Sequence, residues 1–166
     1  MYYGKIIEND TVNCIDGITV SLFMSGCPHH CKGCFNEETW NPTFGTEIKV
    51  DDLISLLKDK INAYDIKRHF SVLGGEPLAP YNIENTLTIV STIRKEFNDI
   101  EIYLWSGYTI EEINKMNNSK EILNNINYLI EGRFVESKKD LKLKLRGSSN
   151  QRIFKNVNNH MIEVNM

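Results

Sequence analysis

Short apolar runs alternate with segments of helical periodicity along most of the chain. Four runs of strand length, rich in β-branched and aromatic residues, predict buried β-strands: Ile18–Met24, Phe70–Leu73, Ile100–Trp105 and Asn127–Glu131. Apolar residues at helical spacing predict α-helices between those strands: Asp51–Ile61, Ile83–Phe97 and Ile110–Met116, the last with Thr109 as N-cap. The polar stretch Asn114–Asn127 carries a helical stripe and predicts a surface helix with a loop. This alternation predicts a parallel sheet with right-handed crossover connections.

Glycines and polar residues follow the carboxyl end of every predicted strand. The four groups are Gly26-Cys27, Gly74-Gly75-Glu76, Ser106-Gly107 and Glu131-Gly132. Because the carboxyl ends of parallel strands meet at one edge of a sheet, where α/β proteins bind ligands, the four groups predict a common site. The competing interpretation, that glycines simply end strands, accounts for any one group better than for all four.

The composition is that of an ordinary globular protein. With 166 residues, 41% of them hydrophobic and 25% charged, the chain is expected to form a single domain over residues 1–166. The net charge of −3 gives no general attraction to nucleic acid or to an anionic membrane, so neither is expected as a partner. The N-terminal MYYGKIIEND lacks the apolar core of a signal peptide. We therefore expect a cytoplasmic location, where reduced, clustered cysteines indicate metal or redox chemistry.

Three cysteines stand close together in the stretch SGCPHHCKGCF, at Cys27, Cys31 and Cys34. Three thiolates can hold three iron corners of an iron–sulfur cube, which leaves the fourth iron open to a small molecule. Glycines at positions 26 and 33 allow one loop to curl around such a cluster. The alternative is a closed tetrahedral zinc site with a fourth ligand from Cys14, His29 or His30.

The CxxxCxxC pattern resembles the signature of the radical S-adenosylmethionine enzymes, and Gly74-Gly75-Glu76-Pro77 resembles their second motif. The resemblance implies a 4Fe-4S cluster on the three cysteines, with S-adenosyl-L-methionine on the open iron. It implies that the second motif holds the ammonium group of S-adenosylmethionine, that Phe35 lies near the adenine, and that Ser106 meets the ribose or carboxylate. The implied cofactor contacts are Gly33, Cys34, Phe35, Gly74, Gly75, Glu76 and Ser106. Simple packing of Phe35 and a plain turn at Ser106 are the alternatives.

A narrower resemblance covers the chain from about Asp16 to Ile153. The segments SGCPHHCKGCFNEETW, GGEPL, WSGYT, IEGRF and LRGSSNQR occur in this order. They resemble the family of activating proteins of anaerobic ribonucleoside-triphosphate reductase. This resemblance implies an α/β fold, an incomplete parallel (βα) barrel of the radical S-adenosylmethionine type with about five or six strands. It implies generation of a glycyl radical on the large subunit of the reductase, with a flavodoxin or ferredoxin-type protein as electron donor.

The chain departs from that family pattern at two places. Cys14–Thr19 stands where the family often has a Gly-Pro-Gly run, and Glu131 stands where many members carry aspartate. The second change keeps the charge, whereas the first leaves Cys14 without a role. We therefore interpret Cys14 as a free, buried thiol.

Five basic residues and one acidic residue fall in the segment Lys138–Arg146. Its alternation of leucine and lysine predicts an edge strand with one wet face, where lysines prevent unwanted pairing. The second interpretation is electrostatic docking to the reductase.

Two other functions remain compatible with the cysteine pattern. Another small radical S-adenosylmethionine enzyme, either a different glycyl-radical activase or a deazapurine synthase, would share the cysteines and GGEP but not the RGSSNQR ending. A non-catalytic zinc-binding module is the alternative from a different class.

Overall fold

Strands that alternate with helices form the centre of the sheet, and further strands flank them on both sides. The computed structural model describes all residues, Met1–Met166. The strands are β1 Tyr2–Asp10, β2 Thr19–Met24, β3 Thr46–Glu47, β4 His69–Gly74, β5 Ile102–Ser106, β6 Tyr128–Glu131, β7 Arg152–Val157 and β8 His160–Val164. The helices are α1 Val50–Asn62, α2 Ile83–Glu96, α3 Ile110–Ile113 and α4 Ser119–Asn125. All eight strands belong to one sheet in the order β3-β1-β2-β4-β5-β6-β7-β8.

The four central strands run parallel and correspond to the four predicted apolar runs. Val20 of β2 pairs with Phe70 of β4, which pairs with Ile102 of β5, and all three side chains are fully buried. Strands buried on both faces read as continuous apolar runs, because neither set of alternating side chains meets water. This is why the sequence predicted the ends of these strands to within two residues.

The helices cover one face of the sheet. All four contribute to one cluster of 22 buried apolar residues, which includes alternating sheet residues such as Leu22, Val72 and Leu104. A second cluster of five residues lies apart from it and includes Tyr103 and Cys14. Cys14 is a buried, free thiol, as predicted.

The end of each helix follows local chemistry. Thr109 caps α3 as predicted: its side chain accepts a hydrogen bond from the Glu112 backbone, and the Glu112 carboxylate accepts one from the Thr109 backbone. Helix α3 ends at Ile113 rather than continuing to Met116, and α4 begins after Asn118, whose φ of 67° is left-handed. The predicted surface helix with a loop in the asparagine-rich stretch is thus confirmed as α4 and the turn before it.

The predicted incomplete parallel barrel with about five or six strands is wrong. The sheet has eight strands and is mixed, since β1 runs antiparallel to β2, and β7 runs antiparallel to β6 and β8. A parallel pair needs a long crossover, whereas β7 and β8 are joined by Asn158-Asn159 alone. Both asparagines have positive φ, 52° and 64°, as a tight hairpin turn requires. The flanking strands therefore have no place in a barrel of βα units.

The predicted edge strand at Lys138–Arg146 is also wrong. The segment begins at the last residue of a short 3₁₀ helix, Glu136–Lys138, and continues in irregular turns. Its one ladder contact is an isolated bridge between Lys139 and Ser148. Asp140 turns the chain by accepting a hydrogen bond from the Lys142 backbone (2.9 Å), and Leu145 has a positive φ of 59°. A strand cannot continue through a left-handed residue. The segment is a loop that exposes four lysines.

No helix in the structure combines the length and the apolar character that crossing a membrane would require.

Candidate functional site

An open cavity lies beyond the carboxyl ends of the central strands. The cysteine loop after β2 contributes Cys27, Cys31 and Cys34, and the other three strands contribute Gly74, Gly75, Ser106, Gly107 and Gly132. Each of the four groups predicted to share one site therefore contributes at least one residue to the lining of one cavity. Parallel pairing produces this convergence, because it brings the same end of each strand to the same edge.

Close backbone contact holds the cysteine loop against the end of β4. The Gly26 backbone donates to Thr39 (2.7 Å), and the Cys27 backbone donates to Trp40 (3.1 Å). A β-carbon on Gly75 would lie 2.5 Å from the Gly26 carbonyl oxygen, so only glycine allows this approach. The second glycine of the GGEP motif is thus required by packing.

The three thiols are free, half-buried and close enough to influence one another. Burial raises the pKa of Cys27 to about 11, with smaller contributions from Glu76 and the other two cysteines. Burial also raises the pKa of Cys31, although the nearby Arg133 opposes the shift. Since thiolates are the ligands of metals and clusters, binding at this site must release protons from both groups.

The donor set fits an iron–sulfur cube better than a single ion. No three His, Cys, Asp or Glu side chains are arranged to hold one metal ion. The thiolates of a cube bind different irons and need not converge on one point. Two of the proposed fourth zinc ligands lie away from the cavity: Cys14 is in the second apolar cluster, and the exposed His30 packs its ring on Trp40. The third, His29, lines the cavity, but its Nε2 is engaged by the Glu76 carboxylate.

Glu76 lies beneath the cavity rather than on its surface. Its side chain is fully buried, and its carboxylate accepts four hydrogen bonds. The donors are the Leu78 backbone (2.9 Å), the Ser106 hydroxyl (2.9 Å), the Gly107 backbone (2.6 Å) and the His29 ring (2.8 Å). The carboxylate thus connects three of the segments that line the cavity. The His29 contact was not predicted, since a histidine in a loop gives no periodic signal.

Phe35 and Gly33 do not line this cavity. The Phe35 side chain is 94% exposed and borders a neighbouring apolar groove with Leu141 and Leu145, which also contains Gly33 and Cys34. Simple packing therefore does not account for Phe35. The groove and the cavity meet at Cys34, Trp105 and Phe134.

Comparison with known proteins assigns the chain to a family. Residues 16–154 match the family model described as a 4Fe-4S single cluster domain. The anaerobic ribonucleoside-triphosphate reductase-activating protein of Escherichia coli K12 is 39% identical over 155 residues, which cover 91% of this chain and 96% of that protein. The protein of the same name from Haemophilus influenzae is 36% identical, and the match covers 91% of this chain and 96% of that protein. The protein of the same name from Enterobacteria phage T4 is 34% identical, and the match covers 94% of this chain and 95% of that protein. The chain belongs to the family of anaerobic ribonucleoside-triphosphate reductase-activating proteins.

In this member of the family, the RGSSNQR ending folds back onto the segment that follows β6. The Gln151 amide donates to the Gly132 carbonyl (2.9 Å) and accepts from the Gly147 and Ser148 backbones (2.8 and 3.1 Å). Glu131 is buried and accepts from Arg152 (2.6 Å) and from the Ile110 backbone (2.8 Å). The carboxylate of Glu131, which stands where many family members carry aspartate, thus pairs with an arginine and caps a backbone amide.

Proposed function

We propose that this chain binds a 4Fe-4S cluster through Cys27, Cys31 and Cys34 and uses S-adenosyl-L-methionine to generate a glycyl radical on the large subunit of anaerobic ribonucleoside-triphosphate reductase. The observation that carries the proposal is the placement of three free thiols, from one short loop, on one cavity at the strand ends. The names of the relatives, which all refer to activation of this reductase, support the choice of target.

In this function the protein's own residues hold the cluster and orient the cofactor. Cys27, Cys31 and Cys34 would hold the cluster, and the cluster and S-adenosylmethionine would together supply the chemistry, which is one-electron reductive cleavage of the sulfonium and removal of a hydrogen atom from a glycine Cα of the reductase. The electron would come from a reduced flavodoxin or ferredoxin-type donor. No general acid or base is needed for a homolytic transfer, which agrees with a cavity that has no free histidine or carboxylate on its surface.

The proposed contacts to S-adenosylmethionine fall into two groups. Gly74, Gly75 and Ser106 line the cavity, and the two glycines can offer backbone carbonyls to the ammonium group. The Ser106 hydroxyl donates its proton to Glu76, so toward the cofactor it can only accept a hydrogen bond, from the ammonium or a ribose hydroxyl. Cys34 borders both openings, while Gly33 and Phe35 border the apolar groove, which suits an adenine or a peptide better than a charged group. Glu76 stabilises a bound ammonium from below, since its charge is buried and close.

The decisive experiment combines reconstituted protein with its target under anaerobic conditions. Protein loaded with iron and sulfide is mixed with S-adenosylmethionine, dithionite and candidate reductase, and electron paramagnetic resonance is recorded. We expect a glycyl doublet on the reductase and one 5′-deoxyadenosine per radical. Brown protein that cleaves S-adenosylmethionine without the doublet would indicate another radical enzyme. Colourless protein that carries zinc would contradict the whole proposal.

A further inference from the structure

We infer that His29 is a positioning residue that fixes the cysteine loop by binding the buried Glu76. This inference deepens the proposed function and rests on it. It concerns how Cys27 and Cys31 reach the geometry that a cluster requires, a role that the cysteines cannot fill alone. His29 lies midway between them, two residues from each.

The contact is short and almost completely shielded from water. His29 Nε2 lies 2.8 Å from Glu76 Oε2, and the two side chains are 5% and 0% exposed. Shielding strengthens a hydrogen bond to a carboxylate, because water no longer competes for either partner. The contact joins residues 47 positions apart, so it ties the loop after β2 to the end of β4.

Glu76 can act as a fixed anchor because the rest of its carboxylate is occupied. Backbone groups of Leu78 and Gly107 and the hydroxyl of Ser106 donate to it at 2.6–2.9 Å. A carboxylate has about four lone-pair positions, so the His29 ring takes the one that remains. The ring is therefore held by a group that cannot rotate to follow it.

The surroundings of His29 are shaped for its ring. A β-carbon on Gly107 would come within 2.4 Å of that ring, so glycine leaves the space that the ring fills. The Tyr108 ring meets it edge-on, with centroids 4.4 Å apart and planes at 71°. Gly107 has no left-handed φ, so its backbone alone does not explain a glycine there.

His30 offers a matched comparison within the same loop. His30 is exposed, and its ring packs on Trp40 with the ring centroids 4.7 Å apart. The hydrogen bond to Glu76 comes from His29, not from His30. Only one of the two adjacent histidines therefore connects the loop to the sheet. A role for His29 predicts that the two positions respond differently to substitution.

The test measures how firmly the reconstituted cluster is held, independently of turnover. Wild type, His29→Ala, His29→Gln, Gly107→Ala and His30→Asn are loaded with iron and sulfide, and iron release to a chelator is followed by absorbance. We expect roughly 10-fold faster release in His29→Ala, the size typical of lost support for a metal ligand. Gly107→Ala should behave similarly, because it displaces the ring while keeping both hydrogen-bonding groups. His29→Gln should restore slow release, and His30→Asn should match wild type.

Several results would overturn the inference. Wild-type release rates in both His29→Ala and Gly107→Ala would do so, as would release from His30→Asn as fast as from His29→Ala. Thermal unfolding of the unloaded variants and the electron paramagnetic resonance spectrum of the reduced cluster separate local support from a general folding defect. An altered spectrum with an unchanged unfolding temperature supports the inference. An unchanged spectrum with a lowered unfolding temperature contradicts it. Failure of wild type itself to take up a cluster would overturn the proposed function, and this inference with it.

Discussion

The four cysteines of this chain lie in two different environments. Cys27, Cys31 and Cys34 line the open cavity, whereas Cys14 is buried in the second apolar cluster, where its thiol meets the carbonyl oxygens of Asp10 and Gly17. Burial and nearby carboxylates raise the pKa of Cys14, so it stays a neutral thiol. Position, rather than residue type, separates the proposed ligands from the bystander.

Each of the substitutions Cys27→Ala, Cys31→Ala and Cys34→Ala is expected to abolish stable cluster binding, since two thiolates do not hold a cube. Cys14→Ala should retain wild-type iron and sulfide after gel filtration and serves as the matched control. A Cys14 variant that loses iron as completely as the other three would point to a four-cysteine site.

Sequence reasoning identified the cavity residues that carry a chemical signature, but not those that support them. Cysteines, the GGEP motif and Ser106 follow predicted strands, so their convergence could be inferred. His29 could not be found this way, because its role depends on a long-range contact with Glu76. Glu76 itself was expected at the cavity surface, but the same hydrogen bonds draw it underneath.

At the scale of elements, helix α3 connects the strand ends through a network of charges. Arg133, which follows β6, forms a bidentate pair with Glu112 (3.0 and 3.1 Å). The same carboxylate completes the capping box of the helix. Together these contacts lower the pKa of Glu112 from 4.5 to about 2, chiefly through the Arg133 hydrogen bonds.

This shift predicts an acid-sensitive contribution to stability. The folded state binds a proton on Glu112 more weakly than the unfolded state does. The stabilisation from the ionised carboxylate is therefore fully present above pH 4.5 and is lost as the pH falls towards about 2. Glu112→Gln, which keeps the cap but loses the charge, should reduce the difference in urea-unfolding free energy between pH 5 and pH 3. Glu121→Gln, on the exposed side of α4, is the control. An unchanged pH dependence in Glu112→Gln would argue against the ion pair.

The strands differ in how clearly the sequence pattern predicts them. β4 and β5 are apolar on both faces and were predicted, whereas β1 alternates between half-buried and exposed residues over its length. β7 and β8 carry lysine, asparagine and glutamate among their apolar residues, and these polar residues are spread over both faces. Their pairing therefore depends on the hairpin turn more than on hydrophobic pattern. Edge strands of this kind need tertiary context, so the sequence pattern offered nothing to correct the barrel that the family resemblance implied.

The loop Lys138–Arg146 is the element for which the structure changes the interpretation. Since it is not a strand, protection of a sheet edge no longer explains its lysines, and docking of the reductase remains as the proposal. Lys142 and Lys144 are exposed and form no ion pair. Leu141, also in this loop, is 86% exposed beside the apolar groove.

Reversing two charges tests the docking proposal. Lys142→Glu with Lys144→Glu should slow activation of the reductase at low salt, and the difference from wild type should shrink as salt is added. The pair Lys115→Glu with Lys120→Glu makes the same change in net charge at exposed positions elsewhere and should have little effect. Equal rates for both double variants at low salt would rule out docking through this loop.

At the scale of the whole molecule, one mixed sheet brings four loops to one edge and leaves that edge open. The helices cover one face of the sheet and do not close over the cavity. An open edge suits a protein that must reach the backbone of another protein, because a closed pocket would exclude the chain that it acts on. The apolar groove that joins the cavity at Cys34 extends this opening.

Electron–nuclear double resonance on the reduced, reconstituted protein can establish whether the fourth iron is open. S-adenosylmethionine carrying magnetic isotopes in its amino nitrogen and carboxylate oxygens is added before freezing. If three cysteines hold the cube, both labels should couple strongly to the cluster, as direct ligands of one iron do. Absence of coupling from either label, with a fourth protein atom bound at that iron, would contradict the proposed mechanism.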